Sequence, residues 1–188
     1  MSLVPEIFPV TSNTEKIGHN TVFVCIPGKQ FNETQLVSAA ILKGAMTIYT
    51  PSLNVIRIFS EQAQQRKCLL QHAPYPRVKL AQLCNEAFSR PWERLTIVGI
   101  TGTAGKTTTA LLLRHIFIKS GFKTALIGTL YNAILDEQEE STFTTPTADY
   151  VHAFLTSCIE QGVTHVIMEV SSQALDLSRV DGIQFKSV

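Results

Sequence analysis

The chain has 188 residues, of which 45% are hydrophobic and 16% charged, with a formal net charge of +1. That balance excludes a disordered tail, and near-neutrality gives no argument for nucleic acid or an anionic membrane surface as a partner. No apolar run reaches the roughly 18 residues that a membrane-spanning helix needs, and residues 1–6 lack the basic and apolar regions of a secretory leader. Four scattered cysteines (Cys25, Cys68, Cys84, Cys158) have neither C-x-x-C nor zinc-ligand spacing, which predicts packed thiols in a reduced cytoplasmic setting.

In chain order, residues 22–26 (Val-Phe-Val-Cys-Ile) predict a buried strand ended by the turn pair Pro27-Gly28. Residues 36–43 suit a short helix that Gly44 stops. Residues 45–49 and 55–59 read as two more strands, with Pro51, Ser52 and Asn54 as turn residues between them. This β-α-β order predicts a small α/β domain. Residues 60–74 are polar and rich in Gln, and read as a loop or surface helix. Over residues 78–88 the apolar positions Val78, Leu80, Ala81, Leu83, Cys84, Ala87 and Phe88 follow helical spacing, and Pro91 closes the helix. The expected boundary divides residues 1–92 from residues 93–188.

The second part reads as a strand over 95–100, a glycine-bearing loop, and a helix over 106–120 that Gly121 ends. A strand over 123–128, an exposed acidic stretch at 136–140, a helix over 148–161 and a strand over 163–170 follow. Such alternation predicts a mostly parallel sheet with covering helices. His165 alternates within the last strand and is expected to be packed rather than catalytic.

The run Gly99-Ile-Thr-Gly-Thr-Ala-Gly-Lys-Thr-Thr-Thr109 lies between a strand and a helix, where a phosphate loop must lie. Gly102 and Gly105 allow the tight turn that aims successive N–H groups at phosphate oxygens. Lys106 can reach the terminal phosphates, and the Thr107 hydroxyl can ligate Mg²⁺. Ile100 stands where a strict Walker pattern has glycine.

This wording closely resembles the loop of the Mur ligases. Two later stretches, Phe143-Thr144-Thr145-Pro146 and Met168-Glu169-Val170-Ser171-Ser172-Gln173-Ala174-Leu175 with Arg179-Val180 behind, resemble the MurE branch, the UDP-N-acetylmuramoyl-tripeptide synthetases. The resemblance implies an α/β protein: a small N-terminal UDP-binding domain, then an incomplete P-loop ATPase domain. It also implies peptidoglycan-precursor chemistry. ATP converts the carboxylate of UDP-N-acetylmuramoyl-L-alanyl-D-glutamate to an acyl phosphate, which the amine of diaminopimelate or lysine attacks. The residues implied to bind ATP are Gly102, Thr103, Ala104, Gly105, Lys106, Thr107 and Thr108. Lys106 and Glu169 would be catalytic, Thr107 and Glu169 would arrange Mg²⁺, and Thr144, Thr145, Ser171 and Arg179 would contact the UDP-muramoyl peptide. Ser12 and Gln30 are candidates for uridine recognition.

The sequence departs from the family pattern in places. Ala104 replaces the usual loop asparagine, Gln173 stands where many relatives have histidine, and Thr11-Ser12-Asn13 stands for Asp-Ser-Arg. The family's metal-binding histidine, carbamylated lysine and amino-acid-binding domain would lie beyond Val188, so residues 1–188 alone are expected not to complete the ligase reaction and to leave a sheet edge unpaired. The alternatives are a non-catalytic nucleotide or UDP-sugar binding module of ligase descent, or an unrelated phosphate-loop NTPase. Nothing in the sequence bears on oligomeric state.

Overall fold

The computed structural model describes residues 2–28 and 32–187. They form two units, residues 6–87 and residues 88–187, the latter joined by residues 2–5.

The first unit has four parallel strands in the order β1 (Val10–Thr11), β2 (Val22–Val24), β3 (Thr47–Thr50) and β4 (Leu69–His72). Helices α1 (Glu33–Leu42), α2 (Leu53–Gln65) and α3 (Pro76–Ala87) connect or follow them. Helix α1 starts three residues before the predicted helix because Asn32 and Gln35 form a capping box. The Asn32 side chain accepts from Gln35 N at 2.9 Å, and the Gln35 side chain accepts from Asn32 N at 3.1 Å. The core gathers Phe23, Val37, Ile41, Ile48 and Val55.

Residues 55–59, predicted as a strand, lie inside α2. The β-branched run Val-Ile-Arg-Ile suggested extended chain, but the longer period decides. Val55, Phe59 and Ala63 recur every four residues and all pack on the core. Ser52 caps the helix, its side chain accepting from Val55 N at 3.4 Å. The strand lies later, at β4, within the polar stretch that read as loop or surface helix.

The second unit contains β5 (Thr96–Ile100), α4 (Lys106–Lys119), β6 (Thr124–Ile127), β7 (Tyr131–Ile134), β8 (Glu137–Glu140), α5 (Ala148–Glu160), β9 (His165–Glu169) and the short α6 (Ser172–Asp176). The sheet order is β5-β9-β6-β7-β8. Strand β9 sits between β5 and β6, parallel to both, with Ile100 opposite Glu169 and Ile127 opposite Met168. Beside this parallel core, β7 and β8 add an antiparallel hairpin, with Leu135 at positive φ in its turn. The hairpin accounts for the acidic stretch: β8 is Glu-Gln-Glu-Glu at a sheet edge, where charge discourages further pairing. The other edge is occupied, since Lys186 N donates to Ile97 O at 2.8 Å and Gly99 N to Ser187 O at 2.9 Å. Leu126, Ala133 and Ile167 of the sheet pack on Ala110, Leu111 and Phe117 of α4.

All four cysteines are buried free thiols, as core packing requires. Burial, then the Glu33 carboxylate, pushes the Cys25 thiol up to about 12. Among the described residues no helix is long and apolar enough to cross a membrane.

Candidate functional site

Parallel strands β5, β9 and β6 end on one side of their sheet, and the loops that leave them carry the chemistry. Ligand sites of open α/β sheets lie at such carboxyl ends. After β5, Gly102 (φ 135°) and Gly105 (φ 77°) take backbone angles that L side chains rarely adopt. Gly105 opens α4 without a side-chain cap, so the first N–H groups of a 14-residue helix face the loop with its positive dipole end. The Lys106 ammonium donates to Gly102 O at 2.7 Å, folding over the loop. Thr103 and Ala104 are exposed in the loop and Thr108 on the first helical turn.

Glu169 ends β9 and is 1% exposed. One carboxylate oxygen accepts from the Thr107 hydroxyl at 2.9 Å and from the Thr129 hydroxyl at 3.0 Å. The other accepts from Thr129 N at 2.9 Å. Among the described residues no Lys, Arg or His forms an ion pair with it. A buried carboxylate held only by neutral donors is a place where a cation is favoured. Gly128 leaves room beside it: a Cβ there would stand 2.8 Å from a Glu169 carboxylate oxygen, so the turn or the carboxylate would have to shift.

Thr144, Thr145, Ser171 and Arg179 also assemble here. The Thr145 hydroxyl donates to Glu169 O at 2.8 Å and accepts from Ser171 N at 3.1 Å, so it pins the turn before α5 to the end of β9. Arg179 donates to Thr145 O at 2.6 Å, and its guanidinium lies 5.0 Å from the Phe143 ring centre. The Ser171 side chain caps α6, accepting from Ala174 N at 3.2 Å. The Thr144 and Thr129 hydroxyls are 3.2 Å apart, which places the threonine motif against the Glu169 cluster.

In the first unit, Ser12 directly follows β1, and Gln30 lies outside the described residues. At the ends of β2 and β3 the Glu33 carboxylate accepts from the Thr50 hydroxyl and from Ser52 N. His165 packs against Phe122 and Phe117, with ring centres 4.2 and 5.2 Å away, as expected of a packed histidine.

Thr129 and Gly128 were not read from the sequence as site residues. They follow β6 directly, at the same carboxyl end of the parallel strands as Glu169. Among the described residues no three His, Cys, Asp or Glu side chains gather into a metal cluster.

Residues 100–188 match the family described as the Mur ligase middle domain. Over 174 residues the chain is 34% identical to the UDP-N-acetylmuramoyl-L-alanyl-D-glutamate--2,6-diaminopimelate ligase of Clostridium perfringens, covering 93% of this chain and 34% of that protein. Over 165 residues it is 37% identical to the ligase of the same name from Synechococcus elongatus, covering 87% and 33%. A solved structure of a protein with that name superimposes with a TM-score of 0.76 at 20% identity, over 96% of this chain and 35% of that one, a likeness of fold. The chain thus spans about a third of the length of the curated relatives it matches.

Proposed function

We propose that this chain, whose residues 100–188 match the Mur ligase middle domain, forms part of an ATP-dependent carbon–nitrogen ligase. That ligase adds diaminopimelate to UDP-N-acetylmuramoyl-L-alanyl-D-glutamate. The choice of amino acid follows the names of the relatives. The observation that carries the reading is the buried Glu169 carboxylate, bonded to Thr107 at the foot of a phosphate loop and without a cationic side chain.

The residues fit a nucleotide with Mg²⁺. A carboxylate and a hydroxyl are hard oxygen donors, and Mg²⁺ commonly takes one or two carboxylates together with water and phosphate oxygens. When bound, ATP supplies the phosphoryl group that activates the substrate carboxylate. The loop N–H groups and the α4 N-terminus hold phosphate oxygens, with Gly102, Thr103, Ala104, Gly105, Thr107 and Thr108 supplying the cradle. Lys106, which donates to Gly102 O, would neutralise the terminal phosphates of a bound nucleotide. Glu169 and Thr107 hold the cation, and Thr129 keeps the carboxylate turned toward Thr107. Thr144, Ser171 and Arg179 line the path for the muramoyl peptide, Thr145 holds that wall to β9, and Ser12 and Gln30 serve the uridine end.

The test is phosphate release by the natural full-length protein containing this chain, given ATP, Mg²⁺ and the UDP-muramoyl dipeptide. Release that requires both the dipeptide and diaminopimelate is expected. Release indifferent to either substrate points instead to an unrelated NTPase. Ala104, in place of the family's loop asparagine, favours a second reading, a module that binds nucleotide without turnover. Tight nucleotide binding with no release under any substrate combination would mark it.

A further inference from the structure

A chain of polar groups, half-buried at Glu139 and Tyr150 and buried at Asn132 and Gly128, runs from the edge hairpin to the Glu169 cluster, and the roles proposed above do not use it. The Glu139 side chain on β8 accepts from Leu3 N at 3.1 Å through one oxygen and from the Tyr150 hydroxyl through the other. Tyr150, on the first turn of α5, accepts from the Asn132 side-chain amide at 3.1 Å. The Asn132 carbonyl oxygen accepts from Gly128 N at 3.3 Å. Gly128 is followed by Thr129, whose N–H and hydroxyl both bond Glu169.

The direction of these bonds is dictated by chemistry. Burial, then the bond to Glu139, raises the Tyr150 pKa, which keeps the hydroxyl protonated. A phenol has one proton to give, and an ionised carboxylate can only accept it. With that proton committed to Glu139, only lone pairs of Tyr150 face Asn132, so the amide must present its NH₂ there. Its carbonyl oxygen then faces Gly128 N. A flipped amide would set NH₂ against N–H and leave a buried donor unpaired, at a cost that a 3% exposed side chain cannot recover from water. The carboxylate on β8 thereby fixes the amide that anchors the Gly128–Thr129 turn.

We propose that Tyr150 is a positioning residue for the cation site: the Glu139–Tyr150–Asn132 relay holds the Gly128–Thr129 turn so that Thr129 orients the Glu169 carboxylate toward Thr107. The proposal rests on the reading of Glu169 as a cation-binding group. The Tyr150 hydroxyl bonds Glu139 and Asn132, neither of which belongs to the proposed cradle or cation ligands. Its removal therefore acts on the Mg²⁺-dependent part of nucleotide binding and leaves the Mg²⁺-independent part alone.

The experiment titrates a fluorescent ATP analogue into the chain at increasing Mg²⁺ and, separately, with a chelator present. Tyr150→Phe is expected to raise the Mg²⁺ concentration for half-maximal tightening about tenfold, the lower end for groups that orient metal ligands. Affinity in chelator stays unchanged. Glu139→Ala leaves the phenol proton free to turn toward Asn132, and is expected to shift the Mg²⁺ dependence in the same direction as Tyr150→Phe. In a cycle with Thr129→Val, the double variant is no worse than the worse single, because both act through one carboxylate. Multiplying effects, or a Tyr150→Phe variant with parental Mg²⁺ dependence, overturn the relay while Glu169→Gln still abolishes that dependence. If Glu169→Gln leaves it intact, the site reading itself is wrong and the relay falls with it.

Discussion

At the scale of single residues, the site depends on a few atoms with no room to move. Gly128→Ala puts a methyl group 2.8 Å from the Glu169 carboxylate, so either the turn or the carboxylate shifts. Mg²⁺-dependent nucleotide binding is expected to weaken while binding in chelator is retained; equal loss in both conditions would place Gly128 in the phosphate cradle instead. Lys106 and Thr107 are legible because the loop motif joins residues close in sequence, whereas Glu169 is named only by the resemblance of residues 168–175 to the family. Thr129 is not legible, because its role arises only when β6 comes beside β9. The same holds for Asn132, Tyr150 and Glu139, which look like ordinary polar residues until the hairpin folds against α5.

At the scale of elements, capping and period outweigh local propensity. Asn32→Ala removes the half of the capping box at α1 in which the Asn32 side chain accepts from Gln35 N, and leaves the backbone N–H of residue 32 for the Gln35 side chain. Thermal or denaturant unfolding should show a loss of about 1 kcal/mol. Phe23 is wholly buried in the first unit's core, and Phe23→Ala should cost about 3–5 kcal/mol in the same assay. The elements legible from sequence are those whose ends carry punctuation: Gly44 and Gly121, both at positive φ, follow α1 and α4 as their sequence positions imply. Helix α2 and strand β4 were lost because Gln-rich polarity hid the switch in period. The β7–β8 hairpin was lost because four polar residues at an edge need no alternating apolar face.

At the scale of the whole molecule, the proposed ligase reading divides labour between two α/β units, of which the second holds the phosphate loop and the Glu169 cluster. Its stability should carry a pH signature. His152 is fully buried on α5, with Nδ1 2.9 Å from Ala148 O, and burial lowers its pKa from the ordinary 6.5. The unfolded chain thus takes up this proton at a higher pH than the folded chain does. Stability from this source is complete above 6.5 and declines as pH falls from there toward the folded value. Thermal midpoints measured near neutrality and about one to two units lower should show the decline, and His152→Leu should flatten it. An unchanged slope in that variant would assign the decline to other groups.

The most direct test of the central claim, a nucleotide-phosphate loop working with a carboxylate-held cation, is calorimetric titration of ATP with Mg²⁺ into this chain and its Lys106→Ala and Glu169→Gln variants. The account predicts binding by the parent chain, a loss of at least about tenfold in Lys106→Ala from the missing charge-assisted bonds, and loss of the Mg²⁺ contribution in Glu169→Gln. Equal affinity for ATP in all three proteins, or no difference with Mg²⁺ present or absent, would contradict it.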